Sequence, residues 1–325
     1  MTAVFKPIHK GPVGCARFSK DGRYVATGSA DASLKVIAVS KAKALYGQPP
    51  LDSSDPARKP VIRSLYGHTE PVSDVDFHPN GRVLASVSLD GKLGLYDLTR
   101  AQHKRHAMSW EDVVPLRSLD FHPTGDYLLL AGDDHRPRLM DVQTMTPYLL
   151  PTPNSTVSHR DRITCIRYAN DAATFATASD DGDIRIYDTK NGSLIRVIAS
   201  AHDGRSVSSI QYSLSNRYVL SCGRDNRAKV WDISSGLTVR TYEGAIHQRN
   251  AVNATWNWNE SLVLSSDESQ LCITAWDAGT ADIIARWRGH ELLVRCVAAS
   301  PIENFFISCG DDNKARCWMQ TNAEN

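Results

Sequence analysis

Histidine, a hydroxyl residue and aspartate recur together along the chain: His9, Thr27 and Asp31; His68, Ser86 and Asp90; His159, Thr177 and Asp181; His202, Ser221 and Asp225; His290, Ser308 and Asp312. The chemistry open to such a set is nucleophilic, with aspartate orienting histidine and histidine activating the hydroxyl. The repetition speaks against it. Histidine and aspartate are 22 residues apart in four sets and 23 apart in His202/Asp225, and copies arranged radially cannot converge on one substrate. A structural role accounts for all of them. Histidine bonded to aspartate and to the hydroxyl, with the hydroxyl meeting an aromatic donor, pairs every buried polar group and fixes one local geometry. Trp231 and Trp318 supply that donor; Tyr96 and Tyr187 offer a ring and a hydroxyl in its place, whereas Ile37 in the first set offers neither.

The elements that must position these residues are short. In Ala201–Ile233, an alternating run ends at Tyr212, a second apolar run leads to Ser221, Asp225 sits in a polar turn and Trp231 closes a third run. That is three strands and two turns. Positions equivalent to Trp231 fall at Ile37, Tyr96, Met140, Tyr187, Trp231, Trp276 and Trp318, at intervals of 59, 44, 47, 44, 45 and 42 residues. Seven units follow, beginning near residues 9, 68, 112, 159, 202, 247 and 290 of one domain spanning 1–325. The third unit keeps only Asp134, with Asp112, Leu130 and Met140 at the other positions, so its blade, like the first with Ile37, should be looser. The sixth keeps His247, Ser266 and Trp276 but has Gln270 at the aspartate position. The long first interval reflects residues 40–60, whose Pro49-Pro50 and LDSSDPARKP read as a flexible loop insertion.

A period of 40 to 45 residues with Gly-His and Trp-Asp pairs, here Gly67-His68, Gly289-His290, Trp231-Asp232 and Trp276-Asp277, resembles a WD-repeat β-propeller. The fold class expected is therefore all-β, a seven-bladed propeller. Because the seventh unit ends on its third strand, Thr2–Lys6 should supply its outer strand and close the ring, leaving no open sheet edge.

Composition narrows the function classes. With 37 basic and 36 acidic residues the formal charge is +1, so no global field drives the chain onto nucleic acid or membrane. No apolar run is long enough to span a bilayer, and none follows a basic start as in a signal peptide. The seven cysteines contain no C-x-x-C pair, which fits small buried residues rather than disulfides or zinc ligands. GxGxxG and GxxxxGK[ST] are both absent. No cofactor, metal or small-molecule substrate is expected, and no polar cluster out of register with the repeat is apparent near a central channel, as a propeller enzyme would need. Local charge remains. Lys10, Arg160, Arg162, Arg205, Arg224 and Arg249 flank the histidines and aspartates and should share one rim, while Lys104 and Arg105 in RAQHKRH should face the other. Both groups are candidate contacts for a partner or an RNA backbone.

Several phrases resemble one family more closely: HKGP from His9, ATGSADASLKV, PVIRSLYGH, LRSLDFHPTGDYLL, AHDG from Ala201, and VLSCGRDNRAKVWDISSG. They are similar to the WD-repeat subunit of the cleavage stimulation factor, over His9 to Trp318 and including the degenerate third and sixth units. The resemblance implies a non-enzymatic nuclear scaffold of pre-mRNA cleavage and polyadenylation. It would bind the C-terminal segment of the complex's large HAT-repeat subunit and assist recognition of G/U-rich RNA. Family members carry an N-terminal helical dimerisation segment ahead of the propeller, which this chain would lack. The alternative is a scaffold of another complex, such as a ubiquitin-ligase substrate receptor. Against it, no F-box segment is present, and Tyr187-Asp188-Thr189-Lys190 matches a Trp-Asp-x-Arg adaptor motif only in its centre.

Overall fold

Apolar runs of about six residues broken by tight turns cannot bury their faces alone, so they pair into small sheets that stack on one another. The computed structural model describes residues 2–4, 8–45, 59–100, 102–150 and 158–319. In them, seven antiparallel sheets of four strands form a propeller. The inner strands are Val13–Phe18, Val72–Phe77, Leu116–Phe121, Ile163–Tyr168, Val207–Tyr212, Ala254–Trp256 and Val294–Ala299, one for each blade. In six blades the strands follow chain order outward. In the seventh, Thr2–Val4 is the outer strand, pairing with Ala315–Met319 in the register Thr2↔Trp318, Ala3↔Cys317 and Val4↔Arg316. The ring is thus closed by the two ends of the chain, as the last unit's missing strand requires.

Seven buried clusters lie one at each junction between neighbouring blades. Second strands, covered on both faces, are almost wholly buried, as in Tyr24–Ser29 and Tyr218–Gly223. All seven cysteines are free and buried; Cys296, Cys309 and Cys317 belong to the cluster that seals blade 7 against blade 1.

The stretch read as a loop from Ser40 starts differently. Val39–Ala44 is a helix, because Val39 and Ala42 bury against the cluster between blades 1 and 7 while Lys41 faces outward and Lys43 pairs with Glu303 over the Phe305 ring. Residues 46–58 of that stretch, and Phe5 and Lys6 of the expected closing strand, lie outside the described residues.

A meander of this kind sends its connections to two rims. The loop entering each inner strand and the turn between second and third strands share one, called here the histidine rim. The turns after the inner and third strands share the other, the turn rim.

Candidate functional site

Each histidine set assembles within one blade. In blade 5, Trp231 Nε1 donates to Ser221 Oγ at 2.8 Å, Ser221 lies 2.7 Å from His202 Nε2, and His202 Nδ1 lies 2.7 Å from Asp225 Oδ1. Blade 7 repeats this with Trp318, Ser308, His290 and Asp312 at 2.8, 2.7 and 3.0 Å. The relay has one consistent polarity: indole N–H to hydroxyl oxygen, hydroxyl O–H to Nε2, Nδ1–H to carboxylate. It requires neutral histidine. Blades 1, 2 and 4 join His9 with Thr27 and Asp31, His68 with Ser86 and Asp90, and His159 with Thr177 and Asp181. Tyr96 takes the tryptophan position in blade 2, and its buried hydroxyl stands beside Ser86 without the close hydrogen bond that Trp231 and Trp318 make.

Two features keep these sets from acting as nucleophiles. The hydroxyls are fully buried, and in blades 5 and 7 each also receives the indole N–H. The aspartates also accept the backbone amides of Lys10, Thr69, Arg160 and Glu291, which tie the entering loops to the second-to-third turns. Glycine is needed at 223 because a Cβ there would meet the His202 ring at 2.2 Å. Electrostatics follow from the geometry. Burial drives His9 down to about 4 against the pull of Asp31, and it lowers His68, His159, His202 and His290 in the same way. Burial pushes Asp225 upward, but the His202 hydrogen bond and nearby charges hold it at about 2.

The degenerate blades resolve differently from the sequence reading. In blade 6 the hydroxyl in register is Ser265, not Ser266, since Ser265 pairs with Ala254 as Ser221 pairs with Ile210. Ser266 Oγ is buried without a partner. His247 donates from Nε2 to the Ser266 carbonyl at 2.7 Å and faces Cys222 Sγ through Nδ1 at 3.6 Å, and Trp276 Nε1 donates to the Glu243 carbonyl. Blade 3 is not left open. Arg138 Nη2 lies 2.8 Å from both Asp112 and Asp134, with all three side chains largely buried. The sequence held the signal, four residues after the aspartate, where Lys35, Arg185, Lys229 and Arg316 stand in other blades. In blade 5 Lys229 joins Asp225 at 3.0 Å; in blade 3 the arginine replaces histidine altogether.

On the histidine rim the candidate basic residues separate into two groups. Arg162 is clamped by Asp180. Arg160, with its side chain 74% exposed, reaches Asp183 only at 3.8 Å, and Arg205 donates only to the Arg224 carbonyl at 3.4 Å. Among the described residues, no carboxylate pairs with Arg205, Arg224 or Arg249. Lys10 is exposed on blade 1 of that rim, and Arg249 follows His247 on blade 6. Lys104 and Arg105 are exposed in the connection after blade 2's third strand, but that connection turns back toward the loop entering the blade, where the Lys104 carbonyl accepts the Tyr66 amide, so they are not set apart on the opposite rim as expected.

The central channel, of about 700 Å³, holds a polar cluster that the sequence reading missed. The residue before each inner strand's closing aromatic faces it: Arg17, Asp76, Asp120 and Arg167 from blades 1–4, then Gln211 and Thr255. Asp74 completes the group. Arg167 reaches Asp74 at 3.0 Å, while Arg17 stands 3.8 Å from Asp74 and 3.7 Å from Asp120. Asp76 accepts the Phe77 and Phe121 amides, both at 2.9 Å, and no basic group lies within 4 Å of it among the described residues. Burial, reinforced by the Asp120 charge, raises Asp76 to about 7. No group of three or more potential metal ligands occurs among the described residues.

With this geometry in place, comparison with known proteins is specific. The WD domain, G-beta repeat family matches residues 3–37, 59–97, 152–188, 192–232 and 281–319, passing over the two blades without a full histidine set. Cleavage stimulation factor subunit 50 of Arabidopsis thaliana is 38% identical over 316 residues, covering 96% of this chain and 72% of that protein. WD repeat-containing protein 1 of Gallus gallus is 25% identical over 313 residues, covering 82% of this chain and 51% of that one. The β-propeller domain of Myceliophteria thermophila Cps50 (Swd1) superposes with a TM-score of 0.78 at 17% identity, over 99% of this chain and 100% of that one. That last likeness concerns the fold alone.

Proposed function

From the premise that the chain belongs to the cleavage stimulation factor subunit 50 family of WD-repeat β-propellers, we propose that it is a non-enzymatic scaffold of pre-mRNA 3'-end processing in the nucleus. It docks on the C-terminal segment of the large HAT-repeat subunit and assists recognition of G/U-rich RNA. Identity of 38% across 96% of the chain carries this reading, since it runs through the degenerate third and sixth blades as well as the regular ones. The burial of every hydroxyl in the histidine sets supports a scaffolding role. The loosely held arginines on the histidine rim, Arg160, Arg205, Arg224 and Arg249, supply the phosphate contacts, because a guanidinium without a close carboxylate is free to take a bidentate anion.

Affinity purification of the tagged chain from nuclear extract tests the assignment. The HAT-repeat subunit should be recovered with it and survive a moderate salt wash. Recovery of cullin adaptors without processing factors would replace this reading with the ligase-receptor alternative.

A further inference from the structure

The channel cluster is not balanced. Two arginines face three aspartates, and the arginine nearest to contact, Arg167, is committed to Asp74, the Ser118 hydroxyl and the Leu119 and Ile166 carbonyls. Arg17 stays beyond hydrogen-bond distance of its acidic neighbours, and its Nη2 has no hydrogen-bond partner in the protein. Asp76 and Asp120 therefore sit at one register on adjacent blades with amide donors; among the described residues Asp76 has no cation within 4 Å, and Asp120 has Arg17 only at 3.7 Å. Tyr168 lines the same wall beside Asp120; it is 6% exposed, and its hydroxyl has no hydrogen-bond partner. A buried wall with three carboxylates against two guanidiniums, and with an orphaned hydroxyl, has a place for one more hydrogen-bonding cation.

Asp76 and Asp120 lie one residue from the ends of their inner strands, next to the turn rim. Across that rim, the corresponding turns of blades 5, 6 and 7 expose apolar side chains: Leu214 at 65%, Trp258 at 43% and Ile302 at 55%. Polar turns at the equivalent place in blade 1, Lys20-Asp21-Gly22, and blade 4, Asn170-Asp171-Ala172, make this one-sided. We propose that the turn-rim mouth of the channel receives a lysine or arginine side chain of a partner polypeptide between Asp76 and Asp120, with the partner's apolar residues resting on Leu214, Trp258 and Ile302. The chemistry rules out the other occupants. Nucleic-acid phosphates are repelled by the carboxylate pair, and a bare divalent cation requires more oxygen ligands than two aspartates already accepting amides provide.

Proton linkage gives the site a signature. The groups facing Asp76 are Arg17 from blade 1, Asp74 on its own strand, Asp120 from blade 3 and Arg167 from blade 4, with the imidazoles of His78 and His122 in the adjoining turns. A cation entering there displaces the proton that burial and Asp120 hold on Asp76, so its binding tightens as the pH rises.

The test is calorimetric titration of the purified chain with acetyl-Leu-Arg-Leu-amide and its citrulline counterpart, isosteric but uncharged. The arginine peptide should bind about fivefold or more tightly than the citrulline peptide, and about threefold more tightly at pH 8 than at pH 6. Asp76→Asn with Asp120→Asn should abolish both differences, each asparagine keeping one acceptor oxygen, and Trp258→Ala should weaken both peptides. Equal binding of the two peptides by the unaltered chain, or no binding of either, overturns the proposal. So does an arginine preference that persists in a double variant of unchanged thermal midpoint.

Discussion

Acidification from pH 8 to pH 5 is expected to lower the thermal midpoint by on the order of 10 °C, well above the range in which the aspartates of the histidine sets are protonated. The cause is the five buried histidines, His9, His68, His159, His202 and His290, all held below the ordinary value by burial. A group whose folded pKa is depressed binds fewer protons in the native state. For histidine that stability is present above about 6.5 and is lost as the pH falls toward the folded value, about 4 for His9. Each such histidine costs about 1.4 kcal/mol per pH unit within that window. Asp76 acts in the opposite sense: raised to about 7, it adds stability below that value and loses it as the pH rises through it. Asp120, raised by burial, and His247, raised to about 9 by Cys222 and the Ser266 carbonyl against its burial, act in the same sense as Asp76. Three raised groups against five lowered histidines still leave the net slope set by the histidines. Differential scanning calorimetry across this range checks it, and a midpoint flat between pH 8 and pH 5 would mean that the histidines protonate in place. The acidic partners enter later. Asp31 and Asp225, each held at about 2 although burial favours the neutral acid, lose their contribution only below the ordinary carboxylate range.

Arg138→Met should destabilise the propeller by about 3 kcal/mol or more, because it leaves two largely buried carboxylates facing one another without a cation. Asp112 and Asp134 both lie at 2.8 Å from the one guanidinium. Methionine keeps much of the volume, so the loss is electrostatic rather than a cavity effect. The second change that separates these causes is Asp112→Asn with Asp134→Asn in the Arg138→Met background, which should restore most of the midpoint. A single variant that melts with the unaltered chain would show that blade 3 is held by its apolar strands alone, and no rescue by the two asparagines would point to poorer packing.

The parts of this molecule legible in its sequence are those that recur. His202, Ser221, Asp225 and Trp231 could be read because four other blades repeat their spacing, and the ring closure because the last unit lacks an outer strand. Features that depend on neighbouring blades were harder. Arg17, Asp76, Asp120 and Arg167 are single charges before an aromatic, 44 to 59 residues apart, and only ring closure sets them side by side. A register signal existed in the position before Phe18, Phe77, Phe121 and Tyr168, but alternation alone does not say that this face lines a channel. Ser265 was displaced to Ser266 because blade 6 has a three-residue inner strand and no aspartate to fix the count. Arg138 was missed because the pattern sought a histidine, whereas the physical requirement was a buried donor for Asp134. The helix at Val39–Ala44 was hidden by the proline-rich composition that follows it.

The proposed function divides labour within the molecule: the histidine sets hold the blades, and the loosely held arginines on the rim above them would meet RNA phosphates. The direct measurement is the affinity of the purified chain for a G/U-rich single-stranded RNA as a function of salt, with Arg160, Arg205, Arg224 and Arg249 all changed to alanine in the comparison protein. The expected result is an unchanged thermal midpoint, weaker binding, and a slope of log affinity against log salt that is shallower by about 0.7 for each phosphate no longer neutralised. Unchanged affinity and slope in the folded variant would contradict this division.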